Sequence, residues 1–92
     1  MIKLEKDLTV VNKKGLHARP AALFVGLVER FHVAVTLTKG EEKVNGKSIM
    51  GILMLGAVEG TVLKISVEGD EAQAAMAEFE SFFNKQEEEL FL

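Results

Sequence analysis

The chain has 92 residues, 48% of them hydrophobic and 27% charged, which is the balance of an ordinary globular domain and excludes a disordered chain. That length holds one core, so a single domain over residues 1–92 is expected. With no Cys it can form no disulfide, no thiolate nucleophile and no Cys-based zinc site, and its net charge of −3 argues against bulk attraction to nucleic acid.

The charge is unevenly spread. Residues 1–47 carry nine Lys/Arg against five Asp/Glu (+4), and residues 48–92 carry two against nine (−7). A basic half suits an anionic ligand or an acidic partner surface, although helix ends and solubility produce the same asymmetry. The first residues are charged and lack the apolar run of a signal peptide. The most apolar stretch, Ile49 to Val58, is broken by two glycines and falls well short of the ~20 residues that span a bilayer. A cytoplasmic protein without membrane contact is expected.

In chain order, Ile2 to Val11 places Ile2, Leu4, Leu8 and Val10 on alternate positions and reads as a strand. A polar turn, Asn12-Lys13-Lys14-Gly15, follows. From Ala18 to Arg30 the apolar Ala21, Phe24, Val25 and Val28 fall on one helical face, and Pro20, tolerated only in a first turn, sets the start near residue 18. Val33, Val35 and Leu37 alternate with Ala34, Thr36 and Thr38 as a half-buried strand. Lys39-Gly40-Glu41 turns the chain into a short returning strand, Glu42 to Asn45.

Ser48 is placed to cap a short helix running to about Leu55, with Gly56 ending it. Thr61 to Glu68 carries Leu63, Ile65 and Val67 on one face of a further strand. Gly69-Asp70 then opens a helix with acidic residues in its first turn and a core stripe of Ala72, Ala75, Met76, Phe79, Phe82 and Phe83. The order is βαββαβα: an α+β open-faced β-sandwich, a four-stranded antiparallel sheet covered on one face by three helices. Glu87-Glu88-Glu89 reads as a solvated tail, and the apolar Leu90-Phe91-Leu92 either packs back on the sheet or contacts a neighbour.

The segment that carries chemistry is Gly15-Leu16-His17-Ala18-Arg19-Pro20-Ala21. His17 stands where a helix begins, beside backbone N–H groups that have no intrahelical acceptor, and these donors together with the dipole form an anion site. Arg19 in the first turn can add a bidentate contact to phosphate oxygens. The positive helix end favours the uncharged ring, and a neutral ring nitrogen is a nucleophile. The alternative is a surface His beside a solvated Arg. No general base or metal ligand accompanies His17 in the sequence; His32 follows Phe31 at a helix end, where contact with the helix C-terminus explains it, and no third residue at metal spacing joins the two.

Asn45-Gly46-Lys47-Ser48 imitates the end of a P-loop, but the required first glycine is missing because position 41 is Glu, so nucleotide binding is rejected. Ile49, Met50, Leu53 and Met54 make the short helix apolar nearly all round. With Ile52 and Leu55 directed to the core, the others are expected to leave an adaptable apolar patch, the kind used with several partners, which Ala22 and Leu23 extend. A fully buried short helix is the competing reading.

Taken together, Gly15-Leu16-His17-Ala18-Arg19-Pro20-Ala21 and Asn45-Gly46-Lys47-Ser48-Ile49-Met50-Gly51-Ile52 resemble the HPr family, the histidine-containing phosphocarriers of the bacterial phosphoenolpyruvate:sugar phosphotransferase system. The resemblance covers nearly the whole chain. It implies that His17 is phosphorylated on Nδ1 by enzyme I, that Arg19 steadies the phosphoryl group and assists its transfer to IIA domains of sugar permeases, and that Ser48 matches a regulatory serine modified by an HPr kinase/phosphorylase. It further implies a covalent carrier that is no independent catalyst, needing no cofactor and no metal. The expected partners are enzyme I, IIA domains, the kinase and a transcriptional regulator. They would dock on Leu16, Ala22, Leu23, Ile49, Met50 and Leu53 of a monomer. The alternative within the family is a mainly regulatory HPr-like binding protein, of a nitrogen branch or of carbon control, with little direct role in sugar uptake. Leu53-Met54-Leu55 is bulkier than the family's usual stretch and the tail is longer, which bears on partner choice more than on the relay chemistry.

Overall fold

The computed structural model describes residues 2–90. Strands β1 (Lys3–Thr9), β2 (Ala34–Lys39), β3 (Glu42–Asn45) and β4 (Val62–Glu68) form one antiparallel sheet in the order β1-β4-β2-β3. β4 is central, and its Leu63, Ile65 and Val67 are fully buried. The register sets Leu8 opposite Leu63 and Leu4 opposite Val67 on one side, and Leu37 opposite Ile65 and Val35 opposite Val67 on the other. The period-two patterns of three strands therefore meet on one face, which is what fixes the register, since a one-residue slip would turn each set to solvent.

Helices α1 (Ala18–Val28), α2 (Ile49–Met54) and α3 (Ala72–Phe83) give the expected order, and the open-faced sandwich is the observed architecture. α1 buries Ala21, Phe24, Val25 and Val28, and α3 buries all six residues of its stripe. Phe24 joins the two helices, its ring centroid lying 5.1 Å from Phe79, 5.4 Å from Phe82 and 5.6 Å from Phe83. Tilted and edge-to-face pairs of this kind add attraction beyond the buried area. α1 stops at Val28, short of Arg30, because the next N–H groups tighten: Arg30 donates to the Leu27 carbonyl and Phe31 to that of Val28.

Two expectations about the helices are corrected. α3 begins at Ala72, so Asp70 and Glu71 precede its first turn, which contains no acidic residue. Glu71 is the residue before the helix, and its Oε1 accepts the His32 backbone N–H at 2.6 Å instead of capping. The run Glu87-Glu88-Glu89 is more than a solvated tail: Glu88 and Glu89 are exposed, but Glu87–Leu90 forms a fourth short helix, α4, and Glu87 is half-buried. The Glu89 carboxylate reaches back to accept the Gln86 backbone N–H at 3.0 Å, half of a capping box, and three acidic residues sit where the helix dipole favours them. Leu90 packs back toward the core beside Val10, Leu16 and Pro20; Phe91 and Leu92 lie outside the described residues.

Candidate functional site: the start of helix α1

His17 is the residue immediately before α1, in extended backbone geometry (φ −86°, ψ −168°), and its side chain makes no capping hydrogen bond. Its carbonyl starts the helix by accepting the Ala21 N–H at 3.0 Å. The first N–H groups, those of Ala18 and Arg19, have no acceptor within a helix, and Pro20 supplies none. The positive end of an 11-residue helix therefore opens beside the imidazole. Arg19 is exposed in that same first turn, where its guanidinium can reach an anion held by these donors.

The loop that carries His17 is held from both ends. Gly15 has φ +71°, and a Cβ there would lie 2.5 Å from the Ala57 carbonyl oxygen. Only glycine permits that approach together with that backbone conformation. The next N–H, that of Leu16, donates to the same carbonyl at 2.9 Å. On the other side Asn12, the one buried polar residue among the described residues, accepts the Lys14 N–H and donates from Nδ2 to the Gly15 carbonyl, both at 3.3 Å. The polar turn seen in the sequence is thus an Asx turn whose side chain shapes the His17 loop.

The tail completes the surroundings. Gln86 Nε2 donates to the Val11 carbonyl at 2.8 Å, and its Oε1 accepts the Lys13 N–H at 3.3 Å. Glu87 then presents Oε1 to His17 Nε2. The two atoms touch without an aligned hydrogen bond, and both are closed off from solvent. The sequence around His17 gives no sign of this carboxylate, which comes from the far end of the chain.

The second motif builds α2. Asn45 Oδ1 accepts the Lys47 N–H at 2.8 Å, and Gly46 donates to the Val35 carbonyl at 2.7 Å, so close that a Cβ on Gly46 would strike the Val35 side chain at 2.6 Å. Ser48 is the expected cap: its Oγ accepts the Gly51 N–H at 2.9 Å. Gly56 (φ +60°) ends the helix and Lys39 Nζ donates to the Leu55 carbonyl at 2.9 Å.

Ile52 and Leu55 enter the core while Ile49, Met50 and Met54 stay exposed (41%, 66% and 73%). Leu53 and Leu23 are half-buried and Ala22 is exposed. Val58, 66% exposed in the following loop, is a further exposed apolar side chain, and it closes the apolar run of the sequence that begins at Ile49. Leu16 is a correction among the expected docking residues. It is 7% exposed and part of the core, because the bond to Ala57 turns its side chain inward, so it offers a partner no surface.

A family model described as the "PTS HPr component phosphorylation site" matches residues 4–85. The chain belongs to the HPr family. The Phosphocarrier protein HPr of Xylella fastidiosa (strain Temecula1) is 46% identical over 87 residues, covering 89% of this chain and 97% of that relative. The crystal structure of HPr from Bacillus anthracis superposes with a TM-score of 0.85 at 38% identity, covering 90% of this chain and 99% of the other. A second crystal structure, of an HPr dimer from Thermoanaerobacter tengcongensis, is 46% identical and covers 83% of this chain and 92% of that one, with a TM-score of 0.65. As a member of the HPr family the chain is a phosphocarrier of the phosphotransferase system and not an enzyme in its own right. Among the described residues no helix is long and apolar enough to cross a membrane.

Proposed function

We propose that this HPr-family protein acts as a single cytoplasmic domain, monomeric in its relay, that accepts a phosphoryl group on His17 from phospho-enzyme I and passes it to IIA domains of sugar permeases. The observation that carries this reading is the position of His17. Its ring stands at the amino end of α1, uncommitted to capping and with its side chain 38% exposed. A phosphoryl group on Nδ1 would meet the helix's first N–H groups and the Arg19 guanidinium, all of which favour its negative charge. The N–P bond forms from a ring lone pair and breaks by returning it, so the protein carries the group without a metal or a further nucleophile.

Partners dock on the apolar patch of Ile49, Met50 and Leu53, with Ala22 and Leu23 beside the His17 loop. Flexible Met side chains suit repacking against several surfaces. Ser48, at the edge of that patch, is the proposed regulatory site, addressed by an HPr kinase/phosphorylase. A phosphate there adds about two negative charges next to the patch, repelling acidic partners, while its position before a helix avoids unfolding α2.

Incubation with phosphoenolpyruvate and enzyme I is expected to add one acid-labile phosphate, which mass spectrometry would detect. His17→Ala should take up none. A variant that still gains that phosphate would mean another residue is the acceptor.

A further inference from the structure

We propose that Glu87 is a positioning residue for the His17 ring, a counter-charge that stabilises the phosphorylated imidazole from the edge opposite the reaction. The proposal rests on His17 being the phosphoryl acceptor. It is carried by a contact between two residues at distant points of the chain: Glu87 Oε1 lies against His17 Nε2, both atoms are sealed from solvent, and neither finds another polar partner among the described residues. Two polar atoms shielded in this way are costly unless they serve each other.

The placement is built and not incidental. Gln86 is clamped to the His17 loop through Val11 and Lys13, Glu89 closes the start of α4 on the Gln86 N–H, and Leu90 is seated beside Val10, Leu16 and Pro20. Three separate contacts therefore fix the backbone on either side of Glu87. The Glu87 side chain is 17% exposed and that of His17 38%, and since Nε2 is closed off, the exposed area belongs to the remainder of the ring.

The chemistry follows from which nitrogen is occupied. A carboxylate at Nε2 favours the proton there, which leaves the lone pair on Nδ1. When Nδ1 attacks phosphorus, the N–P bond forms from that pair and the donor's bond to phosphorus breaks, the electrons staying with the donor. The ring keeps its Nε2–H and acquires a positive charge, which the Glu87 carboxylate balances. On donation, the acceptor's nucleophile bonds to phosphorus and the N–P electron pair returns to Nδ1, so the ring leaves as neutral imidazole. No proton changes place in either direction. A carboxylate behind a histidine plays the same orienting and charge-balancing part in serine-histidine-aspartate triads.

The test uses the full chain with Glu87→Ala and Glu87→Gln, read by nitrogen-15 NMR of the labelled histidines and by the rate of His17 phosphorylation from phosphoenolpyruvate and enzyme I. The wild type is expected to show an Nε2–H proton protected from solvent exchange. Glu87→Ala should lose that signal and gain its one phosphate about tenfold more slowly, the loss expected when one shielded charged partner is removed. Glu87→Gln keeps an oxygen acceptor without the charge, so it should restore the protected proton but not the rate. Wild-type rates in Glu87→Ala, or a protected Nε2–H that survives that substitution, would overturn the proposal. A wild-type protein that shows the protected proton but takes up no phosphate would refute the phosphoryl-acceptor reading itself, and the counter-charge role with it. An unchanged amide spectrum over residues 18–83 verifies that the fold is intact in both variants.

Discussion

Leu16 and Ala57 tie the two loops of the site together: the Leu16 N–H donates to the Ala57 carbonyl at 2.9 Å, and Gly15 packs its Cα against the same oxygen. The loop before α1 and the loop after α2 are therefore joined through one carbonyl. Gly15→Ala should disrupt this link, because its Cβ would fall 2.5 Å from a backbone oxygen at φ +71°. A cost of about 2 kcal/mol or more is expected, the left-handed penalty plus the clash. Urea denaturation would register it as a lower midpoint at unchanged slope, and slower phosphorylation of His17 should accompany it. A Gly15→Ala protein of wild-type stability would show that the loops can separate freely.

Phe24 is the aromatic hub between α1 and α3, 1% exposed and in ring contact with three phenylalanines. Phe24→Ala should cost about 3–5 kcal/mol, through lost apolar burial and the cavity left among rings that cannot all collapse into it. For a domain of this size that lowers the thermal midpoint by on the order of 15–30 °C, measurable by circular dichroism. Phe24→Leu, which keeps most of the volume, should lose far less.

Ser48 separates two effects that one substitution would confuse. Ser48→Ala removes the acceptor for the Gly51 N–H and should cost about 1 kcal/mol, with α2 the first element to lose hydrogen-exchange protection. Ser48→Asp keeps an oxygen at the cap, so stability should stay near that of the wild type. Its new charge stands beside exposed Ile49 and Met50, and calorimetry should find weaker binding to an acidic partner surface. Equal binding by Ser48→Asp and the wild type would place the docking surface elsewhere.

Local pattern made most of this legible in advance. Leu63, Ile65 and Val67 announce a strand by period two, Ala72 to Phe83 a helix by period three to four, and Glu42–Asn45 coincides with β3 to the residue. His17 and Arg19 are found where Gly15 and Pro20 place a helix start. What escapes is whatever depends on direction or on distant pairing. The apolar Leu16 beside a helix start does not reveal that a bond to Ala57 turns it inward. Asp70 and Glu71 carry the composition of a first turn, yet the Glu71 carboxylate is drawn to the His32 N–H and α3 begins one residue later. Three consecutive glutamates give no sign that Glu89, though exposed, caps its own helix or that Glu87 meets a histidine from the opposite end of the chain. No periodicity encodes such a meeting; it appears only once the sheet and helices have brought β1 and the tail together.

On the open face of the sheet, Glu5 of β1 stands opposite Ser66 of β4, and Ser66 Oγ donates to Glu5 Oε2 at 2.9 Å. That hydrogen bond is the main reason the Glu5 carboxyl is held below its usual range; desolvation opposes it, and Lys3, Lys64 and Lys43 add attraction. Because the folded value is the lower one, the interaction stabilises the native state at pH values above the unfolded carboxyl's range. It fades as pH falls through the folded value, where the carboxylate protonates. Ser66→Ala removes the largest cause and leaves the lysines, so the Glu5 midpoint should rise part of the way toward the ordinary carboxylate value. Carbon-13 NMR titration of the side-chain carboxyls would follow it directly. The stability difference between Ser66→Ala and the wild type should then be present at neutral pH and vanish in acid. A Glu5 midpoint unmoved by Ser66→Ala would assign the depression to the lysines, and raising the salt concentration should in that case remove it.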